Sequence, residues 1–426
     1  MGSLQDRKDR AAGGRQRLME RGAGFRSGLA GLPRHLRVST IGAGLVAAIF
    51  GCTGPALIII NGAKDAGLSD AVTASWILAV YGFGGLISLV LGLYYKMPIT
   101  GAWSIPGAVL VVGALADFEF GEMVGAFIIA GLIVLVLGLT GWIRHVSAWL
   151  PFPIVMAMIA GALIRFGIGV VDAGMTSPII VAAAVVGYLL LHRFIKFIPG
   201  VVGALVFGTV AVMLTGSFNT GGPTLDSILT SPVFTAPAFS LSAVLAVAIP
   251  LAILVIGAEN AQATGVLKAE EYDPPVNSMT LISGVGGVLA GVFGGHNANI
   301  AGPMTAICSS PEAGERPGRY AATIVNGVLF ASFGLFAGVA VSLVTALPAQ
   351  LIAAVAGLAM IGVLISAFQG AFQGNRFQIG AFAALIIAMS NVTILNISSP
   401  FWALVGGVLV SLILEPGDFK RKQPAI

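Results

Sequence analysis

Runs of about twenty apolar residues recur along this 426-residue chain, and they limit its fold more than any motif does. Such runs match the length of an α-helix that crosses a bilayer, whereas outer-membrane barrels show short alternating segments. Hydrophobic residues make up 57% of the chain and charged residues only 9%, a balance that excludes a soluble globular protein. The sequence therefore predicts an all-α polytopic membrane protein.

The apolar runs predict fourteen transmembrane segments in two sets of seven. The first set covers 38–60, 70–94, 104–115, 119–142, 147–170, 176–192 and 199–214. The second set covers 241–264, 276–293, 303–309, 317–343, 347–370, 377–392 and 397–414. Spans 3 and 10, at 104–115 and 303–309, are too short for about 30 Å of hydrocarbon. Each follows a Gly- or Pro-marked extended stretch, so both are predicted to be half-helices.

The two sets of spans show an internal repeat with an offset of about 197 residues. At this offset Pro106 aligns with Pro303, and Pro151 aligns with Pro348. An odd number of spans per repeat reverses the second copy in the membrane, so the pattern predicts a 7+7 inverted repeat. Its parts are a first repeat at 38–214, an extracytoplasmic linker at 215–240 and a second repeat at 241–414.

In this predicted topology, lysine and arginine residues lie almost entirely on one side of the membrane. Twenty of the 22 lie on the side that holds both termini, which the positive-inside rule identifies as cytoplasmic. The segments 1–37 and 415–426 are then cytoplasmic tails. The first tail is basic and is predicted to be mostly disordered. It would serve as a topology signal or lie on anionic lipid, and it is not expected to bind nucleic acid. The two cysteines show no metal-binding spacing, so no metal or cofactor is expected.

Glu259 is the acidic residue that lies deep inside an apolar span. A carboxylate left unpaired in hydrocarbon costs several kcal/mol, so embedded acids generally face a cavity and belong to a transport pathway. The pattern favours a proton-coupling role for Glu259. The alternative is a neutral, hydrogen-bonded side chain that only holds helices together.

The two short spans predict the substrate site. Pro106 and Pro303 lie in their first turns, where a missing N–H costs nothing, and both helices would begin near the membrane midplane. Their free N–H groups and helix dipoles suit an anion, particularly a carboxylate. The predicted substrate-binding residues are Trp103, Ser104, Ile105, Asn299, Ala301, Gly302 and Thr53, with Trp103 equally consistent with a packing role. His296 would relay a proton, bind substrate, or form hydrogen bonds with the unwound backbone. Asn260 and Asn297 would support the site.

Three stretches of this sequence resemble a known family of transporters. They are residues 98–108 (PITGAWSIPGA), 163–167 (LIRFG) and 305–313 (TAICSSPEA). From about Ser39 to Leu414 the chain resembles the benzoate:proton symporter (BenE) family of bacterial inner-membrane carriers. The resemblance implies the fold of uracil permease and related anion transporters. A core domain (38–142 plus 241–343) would move against a gate domain (147–214 plus 347–414), with substrate between spans 3 and 10.

One departure from the family pattern lies in span 8, where Glu259 stands in place of a neutral amide. In nucleobase permeases of this fold an acid on span 8 contacts the base. The leading hypothesis is proton-coupled uptake of a small aromatic carboxylate such as benzoate by alternating access, without enzymatic activity. A nucleobase:proton symporter of the same fold remains the alternative. An anion channel or a membrane-embedded enzyme represents a different class, and a homodimer formed through the gate domain stays open.

Overall fold

The computed structural model describes residues 19–52, 54–141, 151–195, 200–218, 229–390, 392, 394 and 399–420. This part of the chain is mostly helical. Its helices are α1 Phe25–His35, α2 Val38–Cys52, α3 Gly54–Asp65, α4 Asp70–Tyr95, α5 Ile105–Ala114, α6 Phe120–Thr140, α7 Phe152–Thr176, α8 Pro178–Phe194, α9 Gly200–Thr215, α10 Leu241–Ala269, α11 Val276–Val292, α12 Gly302–Ser309, α13 Tyr320–Leu335, α14 Ala337–Thr345, α15 Ala349–Phe372, α16 Gln378–Met389, α17 Ser399–Leu414 and α18 Pro416–Lys420. Its strands are β1 Gly101–Ala102 and β2 Asn299–Ile300.

Several of these helices are long and apolar enough to cross a membrane. Among the described residues there are six: α2 with α3 (counted together), α4, α6, α7, α10 and α15, and the bent pair α13–α14 makes a seventh. The other apolar helices have 10–17 residues, apart from the still shorter α12. The chain is thus a polytopic helical membrane protein, as the sequence predicts. Length alone does not establish the fourteen crossings.

The predicted span 317–343 is not one straight helix, because the chain bends by 66° between α13 and α14. Thr230, which belongs to the linker between the two halves of the chain, lies at this break. The Thr230 N–H donates to the Leu335 carbonyl at 2.8 Å, and the Gly338 N–H donates to the Thr230 hydroxyl at 2.8 Å. These bonds satisfy backbone groups that a continuous helix would pair internally. They therefore lower the free-energy cost of the bend in an apolar environment.

The described part of the N-terminal tail is ordered, in contrast to the predicted disorder. The Tyr320 hydroxyl donates to the carbonyl of Gly28 in α1 at 2.9 Å. Just before α1, the Glu20 carboxylate accepts the N–H groups of Asn277 and Ser278 at 2.9 Å each, which caps the start of α11. The tail is therefore hydrogen-bonded to α11 and α13. Such tertiary contacts cannot be predicted from the local composition of the tail.

The helices pack in two groups. In one group α4 packs on α13, α6 on α11, and α10 on α12, while in the other α7 packs on α15 and α16, and α8 on α9. These groups contain the helices of the predicted core and gate domains. The division into two moving bodies remains a prediction.

Strands β1 and β2 pair antiparallel inside the first group, with Gly101 opposite Ile300 and Ala102 opposite Asn299. A serine of a neighbouring helix supports each strand. Ser88 of α4 accepts from the Gly101 N–H at 2.8 Å and donates to its carbonyl at 3.0 Å, and Ser283 of α11 accepts from the Ile300 N–H at 3.2 Å. Since each strand leads directly into a short helix, α5 and α12 begin close together and run in opposite directions.

Candidate functional site

Helix α10 carries the buried acid in an irregular turn. Residues Leu254–Asn260 form a π-helical segment, and Glu259 within it is only 4% exposed. A π-helical turn is wider than an α-helical turn, and such segments concentrate at functional sites. The wide turn places the Glu259 side chain against the starts of α5 and α12.

The Glu259 carboxylate lies between the N-termini of these two short helices. Its Oε2 atom accepts from the Gly302 N–H at 3.2 Å. The Ser104 hydroxyl and the Ile105 N–H, at the start of α5, also lie near this carboxylate. The protein's own acid therefore contacts the paired helix starts that the sequence assigns to an anion.

The backbone donors at these helix starts are few. Pro106 and Pro303 each follow the first helical residue and have no N–H. In α5 the Gly107 N–H donates to the Ser104 hydroxyl at 3.1 Å, which makes Ser104 the N-cap of this helix. At the start of α12 the first N–H, that of Gly302, donates to Glu259.

A cavity of about 280 Å³ adjoins Glu259, and it lies between the two groups of helices. The first group contributes residues of α2, α5, α10 and α12, and the second group contributes residues of α7 and α15. The lining residues are Phe50, Ile105, Pro106, Met156, Ile159, Ala258, Glu259, Gln262, Pro303, Ala306, Ile307, Gly362, Ser366 and Ala367. An apolar pocket with a few convergent polar groups is typical of a small-molecule site.

His296 is held from both sides of its ring. The Trp76 indole N–H, which can only donate, lies 3.0 Å from Nδ1, and Nε2 lies 3.2 Å from the Ser104 carbonyl oxygen. These partners require a neutral imidazole with its proton on Nε2. His296 is fully buried and does not line the cavity, so the geometry favours the structural role over proton relay.

None of the three asparagines predicted at the site lines the cavity, since two of them bond backbone groups and the third bonds a serine side chain. Asn297 accepts from the Ser104 N–H at 3.0 Å, and Asn299 donates to the Ile300 carbonyl at 2.9 Å. Asn260 accepts from the Ser283 hydroxyl at 3.1 Å, on a different side of α10 from Glu259. Successive residues of a helix project in different directions around its axis, which accounts for this separation.

Of the predicted substrate-binding residues, Ile105 lines the cavity. Trp103 is 2% exposed and packs edge-on against the rings of Tyr81 and His296. Ala301 is buried and donates its N–H to the Thr100 carbonyl at 2.9 Å, and Gly302 contributes its N–H to Glu259. Thr53 lies outside the described residues.

Several cavity residues were not among the predicted site residues. Gln262 lies three positions after Glu259 on α10, so helical periodicity alone could have found it. Its side chain packs against Gly302, where an added Cβ would lie 2.4 Å from Gln262 Oε1. Ser366 of α15 and Met156 of α7 offered no signal, because they reach the site only when the second group of helices packs on the first.

Arg319 fixes the far end of α12. Its Nη1 atom donates to the Ser309 carbonyl and, at 2.7 Å, to the Glu270 carboxylate, and its Nε donates to the Gly314 carbonyl at 2.8 Å. Glu270 follows the last residue of α10. One largely buried guanidinium thus joins the ends of the two helices that form the site.

Replacing Arg319 by Ala should lower the free energy of unfolding by about 1–2 kcal/mol, because it leaves carbonyls and a carboxylate without their charged donor. Thermal unfolding of purified protein in detergent measures this loss. Arg316→Ala is the matched control, since its ion pair with Glu271 is exposed and is worth about 0–1 kcal/mol. Equal losses in the two variants would contradict the assignment.

A helical membrane protein with two short helices that begin together beside a buried acid belongs to the transporter class. The chain matches the family described as benzoate membrane transport protein (BenE) over residues 34–413, and it belongs to that family. The resemblance found in the sequence is thereby confirmed.

Two relatives agree with this assignment, and two solved structures share the fold. The chain is 30% identical over 373 residues to the benzoate membrane transport protein of Acinetobacter baylyi, covering 87% of this chain and 94% of that one. It is 30% identical over 377 residues to the inner membrane protein YdcO of Escherichia coli, covering 88% and 96%. The fold resembles the transmembrane domain of the cyanobacterial bicarbonate transporter BicA (TM-score 0.60, 17% identity, 88% and 98% covered). It also resembles the murine anion transporter Slc26a9 (TM-score 0.61, 14% identity, 97% and 75% covered).

Proposed function

We propose that this protein is a secondary active transporter of the bacterial inner membrane that takes up a small aromatic carboxylate, such as benzoate, together with a proton. The observation that carries the proposal is the apolar cavity with Glu259 at the meeting point of two helix N-termini. The helix starts suit the carboxylate of a substrate. The apolar lining, which includes Phe50 and Ile159, suits an aromatic ring.

The proposed topology is the fourteen-crossing inverted repeat. Its support is that β1–α5 and β2–α12 are equivalent units in opposite orientation, each with proline at the second helical position. Antiparallel pairing of the two strands is what an axis in the membrane plane would produce. The core and gate domains are then the two groups of packed helices.

The proposed state is inward-facing. The positive-inside rule places the ends of α10 and α15 in the cytoplasm. Gln262 and Ser366 lie towards those ends, and an added Cβ at Gly362 would meet open space. On the opposite side Arg165 of α7 donates to the Val109 carbonyl of α5 at 3.4 Å, so core and gate are in contact there. Alternating access would separate this contact and close the cavity.

A nucleobase:proton symporter is the second candidate, and one observation favours it. Glu259 and Gln262 lie on one face of α10 and both line the cavity. Together they present a carboxyl and an amide, which can pair with the ring N–H and carbonyl groups of a nucleobase. Benzoate has no ring N–H group to donate, so part of the hydrogen-bonding capacity of Glu259 and Gln262 would stay unused.

A ligand panel tests the proposal. Purified protein is heated with benzoate, 4-hydroxybenzoate, uracil, xanthine, bicarbonate or sulfate at pH 6 and pH 8. Benzoate is expected to stabilise the protein, by about 2.7 kcal/mol at 100 times its Kd, and more strongly at pH 6. Both pH values lie above the pKa of an ordinary carboxylic acid, about 4, so benzoate is an anion throughout. Stabilisation by uracil or xanthine alone would select the second candidate and reject the first.

A further inference from the structure

We propose that the Glu259 carboxylate is an internal competitor of the substrate. When ionised it occupies the anion-binding position between α5 and α12, and a substrate carboxylate binds there only after Glu259 takes up a proton. The inference rests on the proposed function for the identity of the anion. It goes further by fixing an order of events, with proton first and anion second.

The hydrogen-bond donors carry the argument. A substrate carboxylate at the paired helix starts would draw on their first N–H groups, those of Ile105 and Gly302, because the next residues, Pro106 and Pro303, supply none. The Gly302 N–H already donates to Glu259 at 3.2 Å, and the Ile105 N–H lies near the same carboxylate. Two carboxylates sharing these donors would repel each other in a site that is only 4% exposed at Glu259. A proton taken from solvent onto a Glu259 oxygen removes the repulsion and turns the side chain from an acceptor into a donor.

Two other carboxylates of this protein show what a purely structural cap looks like. Glu20 accepts from the Asn277 and Ser278 N–H groups at the start of α11, and Glu415 accepts from the Ile379 and Gly380 N–H groups at the start of α16. Each holds two successive N–H groups of a single helix. Glu259 instead accepts from the first N–H of α12, lies near the first N–H of α5, and lines a cavity.

Other titratable groups lie on the elements packed around Glu259. Among the described residues they are Cys52 on α2, Arg165 and Asp172 on α7, Lys268 on α10, His296 before β2 and Cys308 on α12. None of these six lines the cavity. His296 is held neutral by its two partners, and Arg165 contacts the carbonyl of Val109 in α5. Glu259 is thus the group whose protonation changes the charge of the cavity wall.

Equilibrium binding to purified full-length protein tests the competition, with radiolabelled benzoate, chloride and sulfate as separate probes at pH 6 and pH 8. In the unmodified protein, anion affinity should fall by up to about tenfold per pH unit once Glu259 ionises. In Glu259→Gln the amide carries no charge and holds the N–H groups less strongly. This variant should bind with pH-independent affinity, and at pH 8 about tenfold or more tightly than the unmodified protein. Glu415→Gln, which alters a cap outside the cavity, should behave as the unmodified protein does.

The outcomes separate the two proposals. Tighter anion binding by Glu259→Gln than by the unmodified protein at pH 8 supports the competition, whichever anion shows it. If chloride or sulfate shows the gain and benzoate does not, the competition stands and the aromatic substrate is rejected. Weaker anion binding by Glu259→Gln with unchanged pH dependence overturns the competition. Absence of binding by all three anions to this variant overturns it as well, because the vacated N–H groups should hold an anion.

Discussion

Replacing Glu259 by Gln should reduce the initial rate of benzoate uptake driven by a pH gradient by about 100-fold or more, to the rate of protein-free liposomes. Glu259 is the group that would carry the coupled proton across. Without it, the movement of a substrate anion is no longer linked to the free energy of the gradient, about 1.4 kcal/mol per pH unit. The amide fills the same space, so folding should be unaffected.

The measurement is uptake of radiolabelled benzoate into proteoliposomes with an alkaline interior. Neutral benzoic acid crosses bilayers unaided and reaches the same final distribution as a 1:1 symport, so the initial rate is compared and the final ratio is not. Exchange of internal labelled for external unlabelled benzoate should persist in the variant, which distinguishes uncoupling from misfolding. In Glu259→Gln, a rate that exceeds the rate of protein-free liposomes by an amount that still grows with the pH gradient would exclude Glu259 as the proton carrier.

Replacing Gly84 by Ala should lower the free energy of unfolding by about 3 kcal/mol, the upper end of ordinary overpacking. A Cβ at this position of α4 would lie 2.7 Å from both the Cα and the carbonyl oxygen of Ala102 in β1. Backbone atoms of a paired strand cannot rotate away as a side chain can. Relief of the clash would shift β1 and the start of α5, so benzoate affinity should fall together with stability.

Gly82→Ala is the matched control, because it adds the same methyl group to the same helix two residues earlier. The nearest atom to that Cβ is Leu78 Cδ1 at 3.8 Å, an ordinary contact. The control should be neutral or more stable by about 0.5–1 kcal/mol, since Ala favours helix over Gly. Thermal unfolding of both variants measures the difference, and equal stabilities would refute the tight approach of α4 to β1.

The helices could be predicted from the sequence where composition and length determine them. The predicted span 303–309 coincides with α12 to within one residue, because Pro303 marks its first turn. The break at Phe336 and the order of α1 could not be predicted. Both depend on tertiary partners, namely Thr230 at the break and Tyr320 against α1.

The candidate site was predictable where a polar residue stands out from an apolar span. Glu259 and Ser104 fall in this group, and the structure brings them together across 155 residues of chain. Ser366 and Met156 did not stand out, because their place beside the cavity is set by how α7 and α15 pack on the first group. The Gly302 N–H is a backbone group, so no residue type could have revealed that Glu259 accepts from it.

The linker between the two halves is attached to the first group of helices at three points. Thr230 binds the break between α13 and α14, Val233 exchanges hydrogen bonds with the Ser75 hydroxyl of α4, and Ala238 donates to the Gly121 carbonyl of α6 at 2.8 Å. The described part of the linker, 229–240, is therefore fixed to this group of helices. A spectroscopic label on the exposed Phe234 would report the position of that group, and its distance to a second label on α8 would test whether the two groups of helices move relative to each other.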